Sequence, residues 1–273
     1  MKARKTIWLL VMVALTLTQP AEGQNKKPKL REHKDDTKTE ALERRAEVLL
    51  ETTKGNIRIS LYEETPAHRD NFLRLTSEHF YDSLLFHRTI RGFMIQTGDP
   101  ASRNAIPGQE LGDSSVAYTL PAEIRLPAIY HRRGAVAMAR EGDETNPEHR
   151  SDGCQFYIVW GKRFSTDDIE YMHDRMAADT ECPVELTPEM MNTYRTAGGT
   201  PHLDGAYTVF GEITGGMDVV ENIQRCGTDY NDRPVYDVRI LRATVVRWPE
   251  ETERHDGRNA MPVGPAELQQ TEY

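Results

Sequence analysis

The segment from residue 86 to residue 99 reads Phe86-His87-Arg88-Thr89-Ile90-Arg91-Gly92-Phe93-Met94-Ile95-Gln96-Thr97-Gly98-Asp99. Short apolar runs on either side of Gly92 predict two β-strands, over residues 84–87 and 93–97. Glycine tolerates backbone angles that other residues avoid, so Gly92 predicts a bend between them. We expect this bend to turn the side chains of Phe93 and Met94 toward a surface groove.

Further strand-like runs lie on both sides of this segment. Alternating apolar residues over 48–52 and 57–62, split by Lys54-Gly55-Asn56, predict a β-hairpin at the start of the folded part. Thr65 followed by Pro66 predicts an N-cap and the first turn of a helix over 66–78. A second helix is predicted after Gly215-Gly216. More strands are predicted at 134–139, 155–160, 207–213 and 235–246.

Residues 162–200 interrupt this succession of strands with helical signals. Ser165 and Asp168 suit a capping box, and Thr187-Pro188 opens a second helical stretch that ends at Gly198-Gly199. We therefore predict a helical hairpin inserted between two strands. Its methionines are expected to pack the hairpin against the rest of the domain.

The two ends of the chain differ from its middle in composition. Basic residues, an apolar run and small residues over 1–23 predict a cleaved signal peptide, hence an exported protein, periplasmic or secreted, with no stable membrane insertion after cleavage. Residues 24–45 predict a charged linker and residues 249–273 a disordered tail. The folded domain is predicted over 46–248. The formal net charge of −9 argues against nucleic acid as a partner.

Three cysteines occur, at positions 154, 182 and 226, and their spacing gives no metal-binding pattern. In an exported protein one disulfide bridge is chemically allowed, and one thiol is then left over. We expect Cys154 to be a buried apolar residue. The sequence leaves open whether Cys182 and Cys226 form a bridge.

Three motifs in order resemble the cyclophilin family and its bacterial exported subgroup. They are the segment 86–99 quoted above, Met138-Ala139-Arg140 with Gly153-Cys154-Gln155-Phe156-Tyr157-Ile158, and Leu203-Asp204-Gly205-Ala206-Tyr207-Thr208-Val209-Phe210-Gly211. The resemblance implies a mainly β fold: a closed eight-stranded antiparallel β-barrel capped by two helices, here with the inserted helical hairpin. It covers about 46–248, apart from 162–200.

The same resemblance implies a site for an X-Pro peptide. Arg88 would donate to the twisted prolyl amide, and Gln96 would hold the peptide backbone. The predicted substrate-binding residues are Phe93, Met94, Ala139, Arg140, Gln155, Tyr157, His202, Leu203 and Tyr207. His202 stands where many members of the family carry tryptophan. His87 is given no catalytic role, and no metal or other cofactor is expected.

The function implied is peptidyl-prolyl cis-trans isomerisation in exported polypeptides, with unfolded or proline-containing chains as partners. Rotation about an X-Pro bond breaks no covalent bond, so no nucleophile is required. The protein is expected to be a monomer. The alternative is a peptide-binding holdase chaperone that keeps the groove but has little isomerase turnover.

Overall fold

An eight-stranded antiparallel sheet forms the framework of the protein, which is described by a computed structural model over residues 44–179 and 183–249. The strand order is β10-β1-β2-β9-β6-β8-β4-β3, and β5 and β7 form a separate two-stranded ladder. The strands are β1 (Glu47–Thr52), β2 (Gly55–Leu61), β3 (Arg88–Ile90), β4 (Met94–Thr97), β5 (Thr119–Leu120), β6 (Ala135–Met138), β7 (Ser151–Asp152), β8 (Phe156–Val159), β9 (Val209–Gly215) and β10 (Ile240–Arg247).

The predicted closure of the barrel is wrong. The sheet is a curled half-barrel whose end strands, β3 and β10, form no ladder with each other within the described residues. Beside these two strands, the backbone pairing between the preceding segments is limited to a bridge between Leu85 and Arg239 and a few neighbouring hydrogen bonds. β3 is only three residues long, which leaves too little strand to complete a closed ladder.

Two predicted strands are shorter than expected or absent. Residues 84–87 lie outside the named strands, and the run predicted over 235–246 becomes a strand only from Ile240. The late start of β10 is explained by Arg233, which is buried although charged. Its guanidinium donates to the backbone oxygens of Ile106 and Gln109, at 3.0 and 2.9 Å, and pairs with Asp237. These bonds hold the chain in a loop before β10 begins.

The hairpin predicted at the start of the domain is confirmed. β1 and β2 pair in register from Glu47 opposite Ser60 to Thr52 opposite Gly55, so the turn lies at residues 53 and 54. Gly55 has φ +125°, and a Cβ atom there would lie 2.8 Å from the Val219 side chain. The position therefore requires glycine on both conformational and steric grounds.

Four α-helices lie in the described part of the chain: α1 (Pro66–Ser77), α2 (Thr166–Ala177), α3 (Pro188–Thr196) and α4 (Met217–Gln224). Helices α2 and α3 occupy the segment predicted as the insertion. Ser165 accepts a hydrogen bond from the Asp168 backbone N–H, and Thr187 accepts one from Met190, as their N-cap patterns predict. The two helices share a small apolar cluster that includes Ile169, Met190 and Tyr194.

The N-terminus of α1 is capped differently from the prediction. Thr65 precedes Pro66 as expected, but its side chain makes no capping hydrogen bond. Instead, the Glu123 carboxylate accepts from the backbone N–H groups of Ala67 and His68, at 3.2 and 3.1 Å, and contacts His68 Nδ1 at 2.7 Å. A residue far along the chain therefore satisfies the free N–H groups at the start of this helix.

The cap predicts a measurable contribution of Glu123 to stability. Glu123→Gln should lower the free energy of unfolding at pH 7 by about 1–2 kcal/mol, because an amide offers one acceptor oxygen where the carboxylate offers two. Urea denaturation measures this change. Glu64→Gln is the matched control, since Glu64 is exposed beside the same helix start and should change the stability by less than about 0.5 kcal/mol.

The pH dependence of that difference follows from the pKa of Glu123. Burial acts to raise this pKa, but the hydrogen bonds from His68 and Ala67 outweigh burial and leave the pKa below its usual range. A lowered folded-state pKa means that the contribution is complete above the unfolded value of about 4.3 and is lost as the pH falls through the folded-state pKa. The gap between wild type and Glu123→Gln should therefore narrow below about pH 4. A gap that stays constant down to pH 3 would contradict the assignment.

Several sequence predictions lie outside the described residues. They are the signal peptide over 1–23, the linker up to residue 43, the tail from residue 250, and the Cys182 half of the Cys182–Cys226 bridge. Within 44–179 and 183–249, no helix is both long and apolar enough to cross a membrane. Cys154 is buried as predicted, and burial raises the pKa of its thiol to about 12.

Candidate active site

The register of the sheet brings the predicted site residues into one row. Arg88 on β3 lies opposite Gln96 on β4, Gln96 lies opposite Tyr157 on β8, and Tyr157 lies opposite Ala137 on β6. Directly paired residues project from the same face of a sheet. The predicted donor, the predicted backbone clamp and one predicted slot residue therefore share a face, although they lie far apart in the sequence.

The two faces of these strands belong to different apolar clusters. Ile95, Ile158 and Val136 are fully buried in the main core, together with Phe72 of α1. Met94 and Tyr157 are buried instead in a second cluster, against which Phe93, Leu203 and Tyr207 pack. We call this second cluster the proline slot, after the role that the resemblance to cyclophilins implies for Phe93, Met94, Tyr157 and Leu203. Successive strand residues alternate between the two faces, which explains the separation.

The wall of the slot is aromatic. Tyr207 packs edge-on against Tyr157 with 6.0 Å between ring centroids. Phe93 stacks on His202 at 5.5 Å, so His202 covers the outer side of Phe93. Partial desolvation lowers the pKa of His202, which remains exposed as a residue, and the neighbouring His131 and Lys162 lower it further against the opposing effect of Asp204. The neutral imidazole is therefore the major form at neutral pH.

Arg88 stands at the open end of the row. Its side chain is 47% exposed, and its Nε lies 3.7 Å from Asp232 Oδ2, a distance typical of a loose surface ion pair. Asp232 is itself half exposed. The guanidinium therefore retains donors that a bound peptide could use, and Asp232 orients it without burying it.

Gln96 and Gln155 are joined to each other. Gln96 Nε2 donates to Gln155 Oε1 at 3.0 Å, and Gln155 Nε2 donates to the backbone oxygens of Gly112 and Ser114 at 2.8 and 2.9 Å. The Gln155 amide is thus engaged within the protein. It holds the loop at residues 112–114 and fixes the orientation of the Gln96 amide.

Ala139 and Arg140 are also committed to internal contacts. The Ala139 backbone N–H donates to the backbone oxygen of Gln155 at 2.9 Å, and the Ala139 carbonyl accepts from the backbone N–H of Asp152 at 2.8 Å. The Arg140 guanidinium donates to the Ala206 oxygen at 2.8 Å and lies 4.5 Å from the centroid of the Tyr207 ring. Arg140 therefore supports the Tyr207 wall of the slot from behind.

Two further residues behind the slot were not predicted. His131 is buried, and its Nε2 lies 3.0 Å from the Tyr157 hydroxyl, while its Nδ1 lies 2.8 Å from Asp204 Oδ1. Asp204 occurs within a quoted motif, beside Leu203, but no role was inferred for it. No local pattern around His131 indicates its position, because its partners are distant in sequence.

His87 is buried and forms part of no polar network among the described residues. Burial lowers its pKa to about 4, against the opposing charge of Asp99. It is therefore neutral at physiological pH. In the same part of the chain, 44–179 and 183–249, no group of three or more His, Cys, Asp or Glu residues is arranged to hold a metal ion.

Comparison with known proteins identifies the family of this fold and site. The sequence profile described as "Cyclophilin type peptidyl-prolyl cis-trans isomerase/CLD" matches residues 47–245. A solved structure, the Cryptosporidium parvum cyclophilin type peptidyl-prolyl cis-trans isomerase cgd2_1660, aligns with a TM-score of 0.52 and 23% identity over 75% of this chain and 99% of that one. The curled sheet is thus a cyclophilin fold.

Curated relatives agree with the profile. Peptidyl-prolyl cis-trans isomerase CYP71 of Arabidopsis thaliana is 35% identical over 72% of this chain, which spans only 24% of that longer relative. Peptidyl-prolyl cis-trans isomerase CYP18-1 of the same plant and human peptidyl-prolyl cis-trans isomerase-like 3 are each 30% identical over 72% of this chain and 94% of their own lengths. The chain belongs to the cyclophilin-type peptidyl-prolyl cis-trans isomerase family.

Proposed function

We propose that this chain accelerates cis-trans isomerisation of X-Pro bonds in exported polypeptides, as a bacterial exported member of its family. The observation that carries the proposal is the single row of Arg88, Gln96 and Tyr157 beside an apolar slot. A proline ring is apolar and compact, and it suits a slot walled by Phe93 and Met94. The relatives reported above carry the name of the same activity.

The chemistry that this arrangement performs is stabilisation of a rotated amide. The C–N bond has partial double-bond character, which gives a barrier of about 18–20 kcal/mol. Rotation removes the conjugation and leaves a lone pair on the prolyl nitrogen. A charged donor at Arg88 would bind that nitrogen more strongly in the rotated state than in either planar state, and only such differential binding lowers the barrier.

Each neighbouring group has a distinct task in this proposal. The slot holds the proline ring while the rest of the peptide rotates. Gln96, held by Gln155, presents its amide to the substrate backbone. Arg140 and Tyr207 stiffen the wall opposite Phe93. The planar guanidinium of Arg88 is permanently charged, so its donor function does not depend on pH near neutrality.

The proposal extends to the location and the partners of the protein. The apolar run and flanking charges over 1–23 support export, and unfolded chains that enter an extracytoplasmic space contain X-Pro bonds that relax slowly, over tens of seconds or longer. We expect the substrates to be unfolded, proline-containing polypeptides, and the protein to act as a monomer.

The direct test is a peptide assay with the purified full chain. A tetrapeptide with a central X-Pro bond should isomerise faster in proportion to the concentration of added protein. The refolding of a model protein that is limited by proline isomerisation should accelerate as well. Binding of the peptide with no acceleration in either assay would overturn the proposal in favour of a holdase.

His202 provides a prediction about the outer wall of the slot. His202→Ala should lower kcat/KM for the tetrapeptide by about twofold to tenfold, because an aromatic pair contributes on the order of 0.5–1.5 kcal/mol beyond its buried area. His202→Phe should restore most of the loss, since it keeps a ring against Phe93. Because the pKa of His202 is lowered from its ordinary value, its neutral form predominates over this range, and the wild-type rate should change by less than about 1.5-fold between pH 7 and pH 8. Equal rates for the alanine and phenylalanine variants would contradict this role of the ring.

A further inference from the structure

A buried chain of hydrogen bonds connects helix α3 to the proline slot. The Tyr194 hydroxyl on α3 donates to Asp204 Oδ2 at 2.5 Å, and Asp204 Oδ1 lies 2.8 Å from His131 Nδ1. His131 Nε2 in turn lies 3.0 Å from the Tyr157 hydroxyl. Tyr194 and His131 are 0% and 1% exposed, so water does not compete for these bonds.

The direction of each bond follows from the chemistry of the groups. A carboxylate only accepts, and Asp204 Oδ1 also receives the His131 backbone N–H at 2.8 Å. The ring proton of His131 therefore lies on Nδ1. In a neutral imidazole Nε2 accepts from the Tyr157 hydroxyl, and in an imidazolium it donates to the hydroxyl oxygen, so the contact exists in both forms. Asp204 thus holds the His131 ring in the orientation that places Nε2 at the Tyr157 hydroxyl.

The consequence for the slot concerns the orientation of Tyr157. Its ring stacks on His131 at an angle of 12°, and Tyr207 packs edge-on against both rings. A bond at the hydroxyl end fixes the ring in this arrangement. Without the hydrogen bond to His131, Tyr157 would keep its apolar contacts, but its ring would be free to change orientation.

Helix α3 is held in place for this contact by its surroundings. The Tyr194 ring lies against Gly199, where a Cβ atom would come within 2.6 Å of it. The Thr200 N–H donates to the His131 oxygen at 2.9 Å, which joins the end of the same segment to the same histidine. Two independent connections therefore run from residues 188–200 to His131.

We infer that Tyr194 is a positioning residue of the active site, which acts through Asp204 and His131 on Tyr157 and so couples the segment 162–200 to the proline slot. The inference deepens the proposed isomerase function and rests on it. The part of this segment from residue 188 to residue 200 then supports the slot.

The test is a double-mutant cycle on the full chain. Tyr194→Phe removes only the hydroxyl, and it should lower kcat/KM for an X-Pro tetrapeptide by about twofold to tenfold, the range expected for loss of one hydrogen bond. Tyr157→Phe should give a similar loss. The double variant should lose no more than about 1.5-fold beyond the larger single loss, because both changes break one chain of contacts.

Tyr130→Phe is the matched control. The Tyr130 hydroxyl also bonds to α3, at Thr193 Oγ1 and 3.0 Å, and its ring contacts Tyr194, but it lies outside the chain to Asp204. Its kcat/KM should stay within about 1.5-fold of wild type even if stability falls to a similar extent. Asp204→Asn provides a second variant of unchanged size, and it should lower kcat/KM at least as much as Tyr194→Phe.

A spectroscopic readout separates this inference from the proposed function. The ring nitrogen resonances of His131, measured by NMR with ¹⁵N-labelled protein, should shift in Tyr194→Phe and stay unchanged in Tyr130→Phe. Additive losses in the cycle, or a Tyr194→Phe variant that loses stability with unchanged kcat/KM and unchanged His131 resonances, would overturn the inference. If the wild type shows no isomerase activity, the proposed function fails, and unchanged His131 resonances would still overturn the coupling by themselves.

Discussion

Replacement of Arg88 by alanine is expected to lower kcat/KM for an X-Pro tetrapeptide at least about tenfold, because a hydrogen bond from a charged donor contributes on the order of 1.5–3 kcal/mol. The bond at issue exists only while the amide is rotated, so the loss should fall mainly on kcat. The fold should persist, since Arg88 is 47% exposed and its ion pair with Asp232 is long. A coupled protease assay of the tetrapeptide measures the rate, and circular dichroism verifies the fold.

Two further variants sharpen the Arg88 result. Arg91→Ala is the matched control, because Arg91 is an exposed arginine in the turn directly after β3, and the variant should retain activity within about twofold. Arg88→Lys keeps the charge but loses the planar fork, and it should recover only part of the activity. Activity of Arg88→Ala within twofold of wild type, with an unchanged spectrum, would remove Arg88 from the mechanism.

Replacement of Phe72 by alanine is expected to lower the free energy of unfolding by about 3–5 kcal/mol, the usual range for removal of a buried aromatic ring. Phe72 is fully buried on α1 and contacts Tyr81, Phe156 and Phe210 with centroid distances of 5.0, 5.1 and 5.3 Å. Its ring lies at the centre of the main core. Guanidinium denaturation monitored by fluorescence measures the change.

The activity of the Phe72 variant tests the separation of the two clusters. Phe72 belongs to the main core and not to the proline slot, so the folded fraction of Phe72→Ala should keep kcat/KM within about threefold of wild type at low temperature. Phe72→Leu, which refills much of the volume, should cost less than about 1.5 kcal/mol. A Phe72→Ala protein that is stable but inactive would show that core and slot are not independent.

Local signals in the sequence predicted those elements whose contacts are local. The β1–β2 hairpin follows from alternation and turn residues, and helix α1 follows from Thr65-Pro66. The capping of α1 by Glu123 could not be predicted in this way, because Glu123 lies far from α1 in the sequence and no residue pattern near the helix start indicates the contact. The loop before β10 was missed for a similar reason, since buried Arg233 overrides a run that alternates like a strand.

The same distinction applies to the site. Arg88, Gln96, Phe93 and Met94 lie within one motif, so the resemblance alone predicts that they share a site. Ala139 and Gln155 were assigned as substrate contacts, yet the structure shows their polar groups bonded within the protein. Sequence patterns identify which residues surround a groove, but they do not show which polar groups remain available to a ligand.

The pairing of the first strand with the last has a consequence for synthesis of the chain. β1 lies between β2, its neighbour in sequence, and β10, which ends at Arg247. During translation, one edge of β1 therefore keeps its backbone N–H and C=O groups unpaired until nearly the whole domain has been made. Contacts of such long sequence separation form slowly, so the sheet is completed late. A factor that binds the nascent polypeptide therefore encounters β1 before its second edge has paired with β10.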